Sequence, residues 1–466
     1  VSVLSSEHRV TGHTVIAKVI WPPHPFEAGF CLCDDSDAGE TESVRAAYDC
    51  LKTHGLVATR ASWVFLPEEP CGIPSAPPSI LRGVTLADKE FLRLCLELRD
   101  AGFEFCLHGA SAGNNRRERT QEGFDFMERH FGPQDTFICH AKNADNIYWE
   151  EWTAPEPLSR ALTSWYSRNR CSGEVPGSRY FWGDVCRGRV KQIRMFRTRN
   201  TNTLAANPSM PYFEPRKPYV RGWFSATKRS LRDCTSEVAL DRLRRQNGLT
   251  VLYQYLHRYA LPHGGGVQPA FAESIERLAG TTGIAVMTVA AAMDRLRRMQ
   301  SVFAVSLGNR AWLANVGGEA VDDVQVRFAD QGFTGEPVHI DHVEPNGIVE
   351  LTMGRAVRFV GRRCAAADRL GRAAVDFGFG TAFVNVGSNE WRWRGFTVEP
   401  HTCRAVFDPG FGLSRPFSRA GSLELYRLFV GQAGILAREV LLKGRHPDVN
   451  QFLSAHQIQL EDHDNW

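Results

Sequence analysis

Three short apolar runs, far apart in the chain, each stop at a side chain able to hold a cation. Gly29-Phe30-Cys31-Leu32-Cys33 runs into Asp34-Asp35-Ser36-Asp37, Phe103-Glu104-Phe105-Cys106-Leu107 into His108, and Thr136-Phe137-Ile138-Cys139 into His140. Runs of this kind read as buried strands. Helix-period segments lie between them. Glu42 to His54 places Val44, Ala47, Tyr48 and Leu51 on one face and stops at Gly55. Leu86 to Ala101 does the same with Phe91, Leu94, Cys95 and Leu98 before Gly102, and Arg117 to His130 stops at Gly132. Strand and helix in alternation argue for parallel strands covered by helices, and such folds gather functional groups at the C-terminal strand ends. Adjacent carboxylates there are costly unless a cation or a shared proton offsets their repulsion. The pattern predicts a metal site at the mouth of a β/α barrel. A competing reading takes the aspartates as a helix cap, since Glu40-Thr41-Glu42 just downstream would suit a helix start.

Later segments extend the pattern. Ala58 to Leu66 reads as a strand, and a Pro-rich loop follows from Pro67 to Pro78. Ala154 to Pro218, rich in Pro, Arg, Asn and aromatics, predicts long loops over the barrel mouth. Ser236 to Gln246 is helical, Leu249 to Leu256 is a strand reaching His257, and helix, strand and helix follow over roughly Pro269 to Met299. Beyond Gln300 the composition changes. Ser301 to Val360 alternates apolar and polar residues with Gly and Asn turns, and Val375 to Phe407 continues in that manner, which predicts an antiparallel β-domain. Leu423 to Leu442 and Val449 to His456 are expected to be helical, and would dock on the barrel or form a contact between copies of the chain. The expected division is a barrel over 1–300, a β-rich domain over 301–410 and a helical segment over 411–466.

At 466 residues the chain is too long for one core. A net charge of +3 creates no field that would gather nucleic acid or anionic lipid, so neither partner is expected. Arg242-Leu243-Arg244-Arg245 and Arg295-Leu296-Arg297-Arg298 lie in helix-period segments and read as solvated faces. The most apolar stretch, Gly283 to Met293, falls short of the roughly 18–20 residues of a membrane helix. The first residues lack the apolar core of a signal peptide. The twelve cysteines include no CxxC pair, which points away from zinc ribbons and thioredoxin-like chemistry and toward a reducing cytoplasm.

With these residues in view, the first 300 positions resemble the polysaccharide deacetylase family, metal-dependent carbohydrate esterases built on a distorted β/α barrel. The resemblance is carried by Asp34-Asp35 after an apolar strand and by Tyr48-Asp49-Cys50-Leu51-Lys52-Thr53-His54-Gly55-Leu56-Val57-Ala58-Thr59. It continues in Leu107-His108-Gly109-Ala110-Ser111, in Leu256-His257, and in Thr282-Gly283-Ile284-Ala285-Val286-Met287-Thr288-Val289. Two departures stand out. The family's second His, four residues after the first, is Ala112 here, and its Arg-x-Pro-Tyr-Gly motif is matched only partly by Arg216-Lys217-Pro218-Tyr219.

The resemblance implies a hydrolase that removes N-acyl (acetyl) groups from an amino sugar in a glycan or glycan precursor. Asp35 and His108 would be ligands to a divalent metal such as Zn²⁺, Asp34 the general base and His257, as imidazolium, the acid that protonates the leaving nitrogen. His140, which also ends an apolar run, is expected to be the third ligand, with Asn114 or Asn115 as competitors whose oxygen donors would favour a harder cation. Trp149, Trp152 and Trp182 are candidates for a sugar platform, as is the Trp391-Arg392-Trp393 strand, and packing alone would equally explain each. Asp184 reads as a turn residue. Two other functions suit the same residues: a barrel without turnover that binds carbohydrate or acts as a scaffold, and a hydrolase of non-sugar amides.

Overall fold

The computed structural model describes residues 16–70, 83–140, 143–148, 171–198, 200–206, 210–211, 217–262, 265–307, 310–315, 318–330, 333–334, 337–345 and 347–351, and seven short strands between 372 and 442. They divide into two compact units. One is formed within Pro25–Arg297, and the other from residue 298 onward together with the N-terminal strand β1 (Ile16–Ile20).

The first unit is a closed α/β barrel. Its strands are β2 (Ala28–Asp34), β3 (Thr59–Ser62), β4 (Glu104–Leu107), β5 (Thr136–Phe137), β6 (Gln192–Thr198), β7 (Trp223–Thr227) and β8 (Leu249–Gln254), with β9 (Ile284–Val286) added beside β2. All pair in parallel with the next in order. β2 closes the ring. It pairs with β8 from Gly29↔Leu249 to Asp34↔Gln254, and with β3 through Cys33↔Thr59 and Asp34↔Arg60. Closure removes the exposed strand edges.

Local sequence explains the helices that cover it. Thr41–Thr53 starts with a capping box between Glu40 and Ser43 and buries Val44, Ala47, Tyr48 and Leu51, the face expected from spacing. Lys89–Asp100 is capped by Asp88, which accepts the Phe91 amide at 2.9 Å, and buries Phe91, Leu94, Cys95 and Leu98. Arg117–Phe131 stops at Gly132, whose φ of 83° favours glycine.

Alternation along the strands separates two interiors. Phe30 and Leu32 of β2, Phe105 and Leu107 of β4, Phe137 of β5, Ile193 of β6 and Leu252 of β8 belong to the hydrophobic core shared with the helices. Cys31, Cys33, Cys106, Arg194 and Tyr253, one position off, are also buried and occupy the lumen side.

The stretch between 154 and 218 differs from the loops expected there. It holds the helix Gly183–Arg189 and barrel strand β6, whose register shifts against β7 between Arg194 and Arg197. Gln192-Ile193-Arg194 alternates polar and apolar residues, but the arginines around it disguise the strand, which is buried on both faces there.

In the second unit Val321–Asp330 pairs antiparallel with β1, Phe333–Thr334 and Val338–Val343, and an eight-stranded antiparallel sheet runs from Ile348–Leu351 to Arg404–Phe407. Strand β1 pairs with Val321–Asp330 from Ile16↔Ala329 to Ile20↔Gln325, so this strand belongs with the second unit and not with the barrel. The tail is corrected as well. Leu423–Val430 and Ile435–Leu442 are paired antiparallel strands, from Leu423↔Leu442 to Val430↔Ile435, where helix was expected. Strand pairing outweighs local helical spacing in an apolar segment of this length. Val449 to His456 lies outside the described residues. None of the described helices is long and apolar enough to cross a membrane.

Candidate metal centre

Just past the strand ends, three side chains converge. Asp37, His108 and His140 are all buried, and their donor atoms lie within 4.8 Å of one another. His108 follows β4, whose ladder continues with His108 N–H donating to Ser62 O at 3.0 Å. His140 follows β5, extended by Ile138 N–H to Leu107 O at 3.0 Å. Asp37 is carried by the turn after β2.

Each imidazole is oriented through its Nδ1. That of His108 donates to the Ile138 carbonyl at 3.0 Å, and that of His140 lies 3.2 Å from Asn143 Oδ1. Both Nε2 atoms are thereby aimed at Asp37: His108 Nε2 is 3.1 Å from Oδ1, and His140 Nε2 is 3.7 Å from Oδ2. Trp63 packs against both rings, stacked on His108 at 6.0 Å and edge-on to His140 at 5.3 Å, and its Nε1–H donates to the His108 carbonyl at 3.0 Å.

The donor set fits a divalent cation. Tetrahedral donors about 2.0–2.1 Å from an ion stand about 3.3 Å apart, and imidazoles with Nδ1 tied to an oxygen are the usual metal-ligand arrangement. His108 Nε2 stands 3.1 Å from Asp37 Oδ1, close to that value, and the donor atoms of all three residues lie within 4.8 Å of one another. His140 Nε2 is buried and has no hydrogen-bond partner. Burial opposes charge on Asp37, but the His108 hydrogen bond and the adjacent His140 imidazole outweigh it and hold the carboxyl well below its ordinary range. Burial also disfavours a charged His140, yet Asp37 raises its pKa.

The adjacent aspartates have separate fates. Asp35, on the lumen side, receives a two-pronged bond from Arg194, Nη1 to Oδ1 and Nη2 to Oδ2, both at 2.7 Å. Its Oδ2 is 3.7 Å from His108 Nε2, so it borders the cluster while its charge is matched by Arg194. The carboxylate grouped with both histidines is Asp37, where Asp35 was expected. Asp34 points the other way, into the helix layer. There it forms an ion pair with Arg60 and accepts bonds from Tyr48 Oη at 2.9 Å and the Leu256 amide at 2.7 Å. With its oxygens engaged there, away from the two histidines, the expected role of general base does not suit it.

His257 sits in the 3-10 turn Leu256–Tyr259 and is 5% exposed, and neither ring nitrogen has a hydrogen-bond partner. Burial lowers its pKa to about 3, helped by Arg60 and Arg258, so it is neutral at pH 7 and not the imidazolium that was expected.

Asn114 and Asn115 are occupied in joining loops. Asn114 Oδ1 accepts the Ala144 amide at 2.8 Å, and Asn115 bonds Ser111, Gly113 and Asp145. Trp182 is buried and donates to the Asp145 carbonyl, which removes it as a sugar platform. Asp184 is paired with Arg117. Trp149, Trp152 and Arg216 lie outside the described residues, as do the side chains of Trp391 and Trp393.

Sequence reasoning passed over Asp37 and Arg194. Asp37 had a signal: it stands two residues beyond Asp35, on the same side if alternation continues past the strand. Arg194 had none, because nothing near it in sequence names its partner.

No family model matches the chain, and no curated protein does. Among solved structures it is similar to a family 4 acetyl xylan esterase from Clostridium thermocellum in complex with a cobalt ion, at 14% identity over 30% of this chain and 68% of that one, TM-score 0.17. It is also similar to a deacetylase with substrate, at 11% identity over 58% and 90% of the two chains, TM-score 0.24. A mutant CE4 family pseudoenzyme with restored enzymatic activity matches at 12% identity over 58% and 70%, TM-score 0.24. Scores at this level carry no argument, and the barrel stands on its own strand register.

Two predictions follow from the carboxylates. Asp34→Asn leaves the Arg60 guanidinium buried without its countercharge and should cost about 3–5 kcal/mol in denaturant unfolding. A near-normal stability with abolished turnover would instead make Asp34 catalytic. Burial raises the Asp145 carboxyl to about 6, against bonds from the Asn115 amide and side chain. A folded-state pKa above the unfolded value means that its contribution to stability is complete below about pH 4 and lost as pH rises through about 6. Asp145→Asn lacks that loss, so in EDTA the variant should gain on the wild type by up to about 3 kcal/mol between pH 4 and 7. Parallel stability curves would contradict it.

Proposed function

We propose that this protein is a metal-dependent amide hydrolase that removes N-acyl groups from an amino sugar in a glycan or glycan precursor. The observation that carries the reading is the buried convergence of Asp37, His108 and His140 at the C-terminal end of a parallel barrel, beside a carboxylate already matched by an arginine. The sugar is supported by the resemblance of the strand-end Asp and His segments to polysaccharide deacetylases.

Asp37, His108 and His140 would hold a divalent cation, Zn²⁺ by donor type. Such an ion supplies Lewis acidity, polarising the amide carbonyl and bringing the pKa of water toward about 7. The residues do the rest. Arg194 fixes Asp35 in one orientation and takes one lone pair from each oxygen, leaving others to accept a proton from the attacking water. That proton is then available to the departing amine nitrogen, so Asp35 serves as base and afterwards as acid. Neutral His257 shapes the wall beside Gly39, where a Cβ would come within 3.5 Å of its ring.

Acetate release from N-acetylated oligosaccharides, with and without added Zn²⁺ or Co²⁺, tests the reading. Metal-stimulated release is expected. Asp37→Asn and His140→Ala should lose both metal and activity, whereas Asp35→Asn should keep the metal and lose about 10²–10⁴-fold in kcat. Full metal occupancy in His140→Ala would remove that residue from the site. Glycan binding without release in any metal would favour a binding protein over an enzyme.

A further inference from the structure

One strand end reaches Asp37 directly and Asp35 through Arg194. Tyr253 in β8 and Tyr255 just beyond it share the lumen side by alternation. The Arg194 guanidinium lies over the Tyr253 ring at 4.4 Å, so Tyr253 backs the group that holds Asp35. Tyr253 Oη is 2.5 Å from Tyr255 Oη, and Tyr255 Oη donates to Asp37 Oδ2 at 3.3 Å. A phenol has one proton to give. With that of Tyr255 directed to the carboxylate, the short bond between the phenols is donated by Tyr253. Arg258 stacks on the Tyr255 ring at 4.0 Å and restrains its orientation.

The two oxygens of Asp37 are thus distinguished: Oδ1 meets His108 Nε2 at 3.1 Å, whereas Oδ2 accepts from the Tyr255 hydroxyl and lies 3.7 Å from His140 Nε2. We propose that Tyr255 is a positioning residue of the metal centre, holding Asp37 Oδ2 so that Oδ1 alone is presented to the cation, with Tyr253 fixing the rotation of the Tyr255 hydroxyl. This rests on the metal-site reading above. A carboxylate without that restraint can swing to offer both oxygens, filling the coordination position that a catalytic centre keeps open. Tyr255 acts through Asp37 and touches no reacting atom.

The test uses the full chain, stripped of metal and titrated with Zn²⁺ against a competing chelator, with the visible spectrum of the Co²⁺ form as a second readout. Tyr255→Phe should bind Zn²⁺ about 10–100-fold more weakly, the usual loss on removing a hydrogen bond to a ligand. Its Co²⁺ bands should weaken and shift toward higher coordination number. Tyr253→Phe should change both readouts in the same sense but less, and the double variant should be no worse than Tyr255→Phe, because Tyr253 acts through it. A metal-free melting temperature equal to that of the wild type excludes general unfolding. Zn²⁺ affinity within about twofold of the wild type, with an unchanged Co²⁺ spectrum, overturns the proposal. If Tyr255→Phe does not fold, unchanged affinity and spectrum in Tyr253→Phe overturn it equally. A wild type that binds Zn²⁺ tightly but releases no acetate removes the hydrolase reading and leaves this one standing. A wild type that binds no divalent cation overturns both.

Discussion

The barrel closes where β2 is paired on both flanks, by β8 along its length and by β3 at its C-terminal end. A strand held on two sides cannot rotate, so successive side chains are committed to opposite faces. That commitment sends Asp34 into the helix layer and Asp35 toward the lumen. Two carboxylates joined by one peptide bond therefore occupy different electrostatic worlds. Arg60 matches one and Arg194 the other, and neither ion pair is exposed to water. The repulsion expected between neighbouring aspartates is resolved mainly by separation and local countercharge. The candidate cation site lies two residues later, where the chain has left the strand and Asp37 can turn toward the histidines.

Order in the site is built in layers. The backbone ladder sets where His108 and His140 leave their strands, carbonyl and amide oxygens fix the imidazole rotation, and Trp63 packs both rings. Tyr253 of β8 and Tyr255 just beyond it line the lumen side, and Arg194 reaches Asp35. Groups that are buried and held before any ligand arrives need little reorganisation during chemistry, the condition under which electrostatic catalysis is most effective. In the proposed metal site, Ala112 stands where the deacetylase family usually carries its second His, and His140, from the next strand, would supply that donor. Donor geometry constrains the position of a nitrogen atom and is indifferent to which segment supplies it.

Much of this was legible from residue order. The faces of the helices Thr41–Thr53 and Lys89–Asp100 followed from spacing, and the strand ends at His108 and His140 from apolar runs. Strand β6 was hidden because arginines within it and on both sides mask a short alternating segment, and with it went Arg194. The tail at Leu423–Leu442 was misread because an apolar segment with mixed periodicity suits helix and strand alike until a partner is present.

Residue order by itself settled the kind of fold, parallel strands under amphipathic helices with acids and imidazoles at the rim, because periodicity and chain-breaking glycines act over a few residues. Which carboxylate faces which environment was decided only in three dimensions. Asp34, Asp35 and Asp37 are chemically alike, and their roles depend on Arg60, Arg194 and Tyr255, groups between 26 and 218 positions away in the chain. Electrostatic and hydrogen-bonding energies fall with distance in space, and distance along the chain carries no record of it.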